Sequence, residues 1–161
     1  IAPDKFEAGT FNYVGVAGLK GSLSFLERYG QDRMRQEVMA LTAQAIDRIR
    51  EIPGAMLYGT QSMEHKVPLL SFNIKGSFAG EIGYALNQHG ISVRCGLHCA
   101  PLMHKTLGTI PQGTVRLSLG HRNTIAEIER LCDLLTHLTQ KDRCSGSKRE
   151  DEIQRRIRSP T

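Results

Sequence analysis

Thr114-Val115-Arg116-Leu117-Ser118-Leu119 alternates apolar and polar residues, and five residues further on Thr124-Ile125-Ala126-Glu127 changes the period. In the first stretch Val115, Leu117 and Leu119 share one side while Thr114, Arg116 and Ser118 share the other, which is the pattern of a half-buried strand. The second has capping-box form: a threonine oxygen and a glutamate three residues later each accept one of the free N–H groups that open a helix. Ile125, Ile128, Leu131, Leu135 and Leu138 then recur on one helical face. A strand followed this closely by an amphipathic helix predicts mixed architecture.

Upstream, Pro68 to Ile74 reads as a second strand, with Leu70, Phe72 and Ile74 on one side and Leu69, Ser71 and Asn73 on the other. Met56 to Tyr58 is a shorter one. Between these and the closing strand lie a helix from Ser77 to His89 around Ile82, Tyr84, Ala85 and Leu86, ended by Gly90, and a short strand from Ile91 to Arg94 before a turn at Gly96. Further back, Met34, Val38, Leu41, Ala45, Ile49 and Ile52 line one face of a helix from Asp32 to Ile52, which Pro53-Gly54 stops. Tyr13 to Tyr29 is also helical, and Gly15, Gly18 and Gly21 on it allow close approach of another backbone, so it should pack against a partner; Gly30 ends it. The order α-α-β-β-α-β-α-β-α predicts an α+β fold: a small, mainly antiparallel sheet with helices packed on one face.

The 161 residues suit one domain with an appendage, and 40% hydrophobic with 23% charged content is that of a globular chain. No apolar run reaches the roughly 20 residues that cross a bilayer. The chain opens Ile-Ala-Pro-Asp without a methionine or signal-like segment, and so reads as a piece of something longer. The net charge of +5 is concentrated in 141–161, which holds seven basic and four acidic residues; the folded part shows neither basic stripe nor aromatic platform, so nucleic-acid binding is not expected. Four cysteines, at 95, 99, 132 and 144, are too few and too irregular for a disulfide framework and suit reduced thiols in a cytoplasmic setting.

Reactive side chains are densest in Arg94-Cys95-Gly96-Leu97-His98-Cys99-Ala100-Pro101-Leu102, with His104 just beyond. Between a strand and a short helix, Cys99 is placed to be a nucleophile, its thiolate favoured by the helix start, Arg94 and His98; it is equally readable as a small buried apolar residue. Cys132, in an amphipathic helix, and Cys95, at a strand end, read as structural. Cys95, Cys99, His98 and His104 could hold zinc on paper, but Cys-x-x-x-Cys without a second spaced pair falls short of a zinc signature. Arg116, among apolar and hydroxyl residues, needs a carboxylate, either from the protein as an ion pair or from a ligand. Glu7-Ala8-Gly9-Thr10 has the composition of a phosphate-contacting loop.

Lys5-Phe6-Glu7-Ala8-Gly9-Thr10-Phe11-Asn12, the Arg94–Leu102 stretch, and Gly113-Thr114-Val115-Arg116-Leu117-Ser118 with Asn123-Thr124 occur in this order. Together they resemble the C-terminal part of cysteine desulfurases, class V aminotransferases of pyridoxal-phosphate fold type I, and the resemblance runs from about Pro3 to Leu138. It implies that Cys99 is the loop cysteine that takes sulfur from L-cysteine as a persulfide, releasing alanine. Arg116 would bind the substrate carboxylate, with Arg94 and His98 flanking the loop in the same substrate-binding set. Thr10, beside Gly9, would reach the cofactor phosphate across a homodimer interface; a protein sulfur acceptor would complete the cycle. It further implies an interdomain segment over 1–30, a small α+β domain over 31–140 and a charged tail over 141–161. Two departures stand out: Pro101 follows Ala100 directly, making the loop one residue shorter than is common, and Phe11 replaces a frequent proline. The family's covalent lysine belongs to a large domain, and Lys105 does not match it. The alternatives are a non-catalytic module (a persulfide carrier or dimerisation partner) and part of an aminotransferase or lyase in which Cys99 is incidental.

Overall fold

The computed structural model describes residues 2, 4–6, 9–60 and 62–140. Glu7, Ala8, Cys144 and the charged tail lie outside the described residues. The chain divides between Glu37 and Val38 into two compact units.

In the first unit, α1 (Tyr13–Tyr29) starts where Asn12 caps it, the Oδ1 accepting from Gly15 N at 2.8 Å. It ends at Gly30, whose φ of +90° is unfavourable for residues with a Cβ and whose N–H donates to Leu26 O. No residue of α1 is buried, and Val14, Val16, Leu19 and Leu23 are all exposed. Arg33 pairs with Glu37 at 2.9 Å, and Tyr29 Oη donates to the same carboxylate.

Beyond Glu37 lies the remainder of α2 (Gln31–Arg50), followed by β1 (Ala55–Tyr58), β2 (Leu69–Ile74), α3 (Ala79–Gln88), β3 (Arg94–Gly96), α4 (Pro101–Thr106) and β4 (Thr114–Ser118). A fifth helix, α5, covers 125–140. The strands form one antiparallel sheet in the order β1-β2-β4-β3. The α+β expectation, helices against one face, is what the chain adopts. Leu70, Phe72 and Ile74 of β2 and Val115 and Leu117 of β4 form the core with Val38, Ala45, Ile46 and Ile49 of α2, Ala79, Ile82 and Leu86 of α3, and Ile128, Leu131 and Leu135 of α5. The capping box at Thr124 is formed: its N–H donates to Glu127 Oε2 at 2.9 Å, and Glu127 N–H returns to Thr124 Oγ1 at 3.4 Å. Among the described residues no helix is long and apolar enough to cross a membrane.

Three local expectations are corrected. The third strand is Arg94–Gly96 rather than Ile91–Arg94. Arg130 Nη2 donates to His89 O at 2.6 Å and ties the start of that segment to α5, and a cavity of about 250 Å³ separates Gly90–Ser92 from Leu117–Leu119. Pairing begins at Arg94 opposite Arg116 and runs to Gly96 opposite Thr114; there the backbones of Gly96 and Gly113 touch so closely that a Cβ on Gly113 would lie 2.1 Å from Gly96 C. In α5 the buried stripe is rotated toward Cys132 and Thr139, leaving Ile125 exposed. Tyr84 of α3 also faces outward.

Candidate active site

The sheet face opposite the core follows from register. Tyr58 opposes Ser71, Ser71 opposes Arg116, and Arg116 opposes Arg94. Opposed residues of antiparallel strands project to the same side, so these four form one row across all four strands. Two like-charged guanidinium groups directly opposite each other repel, and sheets normally avoid such a pair. Here neither arginine has a carboxylate partner among the described residues. Arg116 Nε is sealed from solvent and makes no hydrogen bond. Of the two sequence alternatives for Arg116, the ion pair with a protein carboxylate is therefore not formed among the described residues. One pleat along the same face, Asn73 Oδ1 and Thr114 Oγ1 are likewise sealed and unpaired, although Asn73 Nδ2 donates to Gly113 O at 2.9 Å. Sequence reasoning missed Tyr58, Ser71, Asn73 and Thr114 as members of this face, because alternation gives each strand's two sides but not which strands become neighbours.

Beyond Gly96 the chain turns sharply. Ala100 N–H donates to Leu97 O at 2.8 Å, and the two central residues, His98 and Cys99, have φ of +49° and +59°. Positive φ at both central positions is the pattern of a type I′ turn, normally built from asparagine and glycine. Non-glycine residues held there cost about 1–3 kcal/mol each, and such strain gathers at functional sites. The result is an exposed Cys99 just before the N-cap of α4. His98 is half-buried, its Nε2–H donating to Thr114 O at 3.1 Å. A carbonyl only accepts, so the neutral ring carries its proton on Nε2 and Nδ1 is left as an acceptor. Burial, and then the neighbouring Arg116, His104 and Arg94, hold His98 below the usual imidazole pKa; the bond to Thr114 O opposes them.

The other cysteines are set apart from Cys99. Cys95 points to the core side, its Sγ filling the space that Gly83 leaves by lacking a Cβ, and burial raises its pKa. Cys132 is buried, and burial pushes it up to about 11. The conceivable zinc set is not assembled: among the described residues no three His, Cys, Asp or Glu side chains converge as a metal site. Gly9, at φ +93°, and Thr10 are both exposed in the first unit. A positive-φ glycine beside an exposed threonine fits the acceptor oxygens of a phosphate, and the sealed, unpaired Arg116 Nε fits a carboxylate. The donor chemistry of these residues is thus compatible with the pyridoxal phosphate and amino-acid substrate that the resemblance implies.

Residues 1–131 match the family model described as Aminotransferase class-V. The chain is 38% identical over 138 residues to a probable cysteine desulfurase of Mycobacterium leprae, covering 86% of this chain and 22% of that protein. Among solved structures it is similar to the apo cysteine desulfurase of Thermococcus onnurineus, with a TM-score of 0.78 and 31% identity over 86% of this chain and 34% of the other. It is also similar to the Escherichia coli cysteine desulfurase CsdA, with a TM-score of 0.74 and 29% identity over 86% and 33%. The chain thus spans between about a fifth and a third of the length of these relatives.

Proposed function

Given that this chain belongs to the class-V aminotransferase family, we propose that it forms the carboxylate-binding strand and nucleophile turn of a pyridoxal-phosphate-dependent cysteine desulfurase. The observation that carries this reading is Arg116: a guanidinium with a sealed, unpaired Nε, two residues along β4 from the carbonyl that holds His98, the neighbour of an exposed cysteine. Its planar fork suits the two oxygens of an α-carboxylate, and that of Arg94 opposite supplies a second positive charge for the same anion.

When bound, pyridoxal phosphate supplies the electron sink that makes the substrate's C–S bond cleavable. Thr10 and the backbone at Gly9 would hold its phosphate. Arg116 anchors the substrate so that its sulfur faces the turn. The Cys99 thiolate attacks that sulfur: an S–S bond forms, the C–S bond breaks, and the bonding pair stays with carbon, which takes up a proton to complete alanine. Neutral His98, whose Nε2 is committed to Thr114 O, would accept the thiol proton at Nδ1. A second nucleophile, from a protein acceptor, then takes the outer sulfur. Residues 1–30 serve as the interdomain segment and 31–140 as the small domain, in a homodimer whose remaining active-site groups come from outside these 161 residues.

The test is incubation of the intact protein with L-cysteine and pyridoxal phosphate, followed by alanine quantitation and mass mapping of cysteines. The expected result is alanine formed together with a persulfide on Cys99, both lost in Cys99→Ser. Full alanine production by Cys99→Ser would instead assign the chain to a lyase in which Cys99 is incidental.

A further inference from the structure

His104 lies on α4 with 5% of its surface exposed, in a position where an apolar side chain would satisfy packing alone. Its Nδ1 and its carbonyl are committed. Nδ1 lies 2.7 Å from Thr109 Oγ1, and the same hydroxyl lies 3.3 Å from His104 O, which also accepts from Thr109 N–H at 2.9 Å. A hydroxyl has one proton. Both Oγ1 contacts are hydrogen bonds at once only if that proton goes to the carbonyl and the ring proton sits on Nδ1. Thr109 thereby selects the tautomer of His104 and fixes its ring plane.

The fixed ring is the neighbour of His98. The two centroids lie 5.9 Å apart with the planes at 46°. His98 is therefore held from two directions, by the Thr114 carbonyl through Nε2–H and by the His104 ring against its side. It is also the first of the two positive-φ residues in the turn that presents Cys99. Holding a side chain in place restrains the backbone that bears it, and this turn has no glycine or asparagine at its centre to stabilise it unaided.

We propose that His104, locked by Thr109, is a positioning residue: it clamps His98 and so fixes the direction in which the Cys99 thiol leaves the turn. This rests on Cys99 being the nucleophile, as proposed above. The device links the end of α4 to the reacting loop without His104 touching substrate.

The test uses the intact protein in three variants. Thr109→Val removes the hydroxyl at nearly constant volume, Thr109→Ser keeps it, and His104→Phe keeps a ring without the Nδ1 proton. In ¹⁵N-histidine-labelled wild type, His104 should carry its proton on Nδ1 and His98 on Nε2. Thr109→Val should perturb the His98 ring nitrogens as well as those of His104. Thr109→Val and His104→Phe should each lower turnover roughly tenfold, the scale expected when a reacting group is misplaced, with KM for the amino acid within about twofold of wild type because Arg116 is untouched. Thr109→Ser should restore both turnover and spectrum. Cys99→Ser in the same assay separates the two proposals. If it is inactive while Thr109→Val and His104→Phe keep wild-type turnover, the clamp is refuted and the nucleophile stands. If Cys99→Ser is fully active the nucleophile assignment fails, and unmoved His98 signals in Thr109→Val would then refute the clamp on spectroscopic grounds alone.

Discussion

Replacing Arg116 with methionine separates a ligand-binding arginine from a structural one. A buried arginine paired with a protein carboxylate is costly to remove, about 3–5 kcal/mol, because its partner is left behind uncompensated. Arg116 has no such partner among the described residues, its Nε is sealed without a hydrogen bond, and it stands opposite Arg94. Leaving one polar group unsatisfied costs about 1–3 kcal/mol. Two unit charges roughly 6–8 Å apart repel by about 0.5–3 kcal/mol for effective dielectric constants between about 80 and 20. Methionine removes both penalties and retains much of the aliphatic stem. Arg116→Met should therefore leave the ligand-free protein at wild-type stability or raise it by up to about 2 kcal/mol, less than the sum because the arginine is only half-buried. For a protein of this size or somewhat larger, each kcal/mol corresponds to about 2–4 °C in Tm. In the intact enzyme the same change should lower kcat/KM for the amino acid by about 30- to 4,000-fold, the equivalent of the roughly 2–5 kcal/mol lost when one member of a desolvated charge pair is truncated. Thermal and urea unfolding without ligand, alongside steady-state kinetics, measure the two effects. A loss of more than about 2 kcal/mol in stability together with near-normal kinetics would refute the reasoning and make Arg116 a structural residue.

The three cysteines of known environment should alkylate in a definite order at mildly alkaline pH: exposed Cys99 first, half-buried Cys95 later and Cys132, pushed up to about 11, last, as timed iodoacetamide labelling with mass mapping will read. Gly113→Ala should destabilise the fold by at least about 3 kcal/mol in urea titrations, since φ is +73° and the new Cβ would meet the Gly96 backbone rather than a movable side chain. Because the folded state holds His98 below its ordinary value of 6.5, the unfolded chain binds the proton more readily. The contribution of neutral His98 to stability is thus complete above about pH 7 and is lost as pH falls from there through the depressed folded-state value; His98→Gln should flatten that part of the urea-midpoint profile.

The reach of local pattern is visible in particular residues. Phe72, Val115 and Ile49 are core because alternation and helical spacing place them on apolar faces, and all three are fully buried. The Thr124 capping box is a contact three residues long and was readable for the same reason. The motif around Cys99 was legible as chemistry, since a cysteine, a histidine and an arginine within a few residues remain close in any compact fold. Local pattern failed where a neighbour decided the outcome. Ile91 and Val93 have strand-like spacing yet do not pair, because Arg130 on a helix nearly forty residues later holds the preceding carbonyl. Ile125 continues the apolar repeat of α5 but stays exposed, because the buried stripe runs instead through Ile128, Leu131, Cys132, Leu135 and Thr139.

The chain's local order alone determined the α+β class and the element sequence, because each follows from interactions spanning only a few residues. The tertiary structure decided what surrounds Cys99. Arg94 and Arg116 are 22 residues apart and become opposed only through the β3–β4 register. His98, His104, Thr109 and Thr114 come together because the segment carrying α4 joins two strands that pair with each other. Strand order and register are set by the total of contacts across the sheet, so no periodicity within one segment contains them, and a site built from four strands and a turn exists only once that sheet has formed.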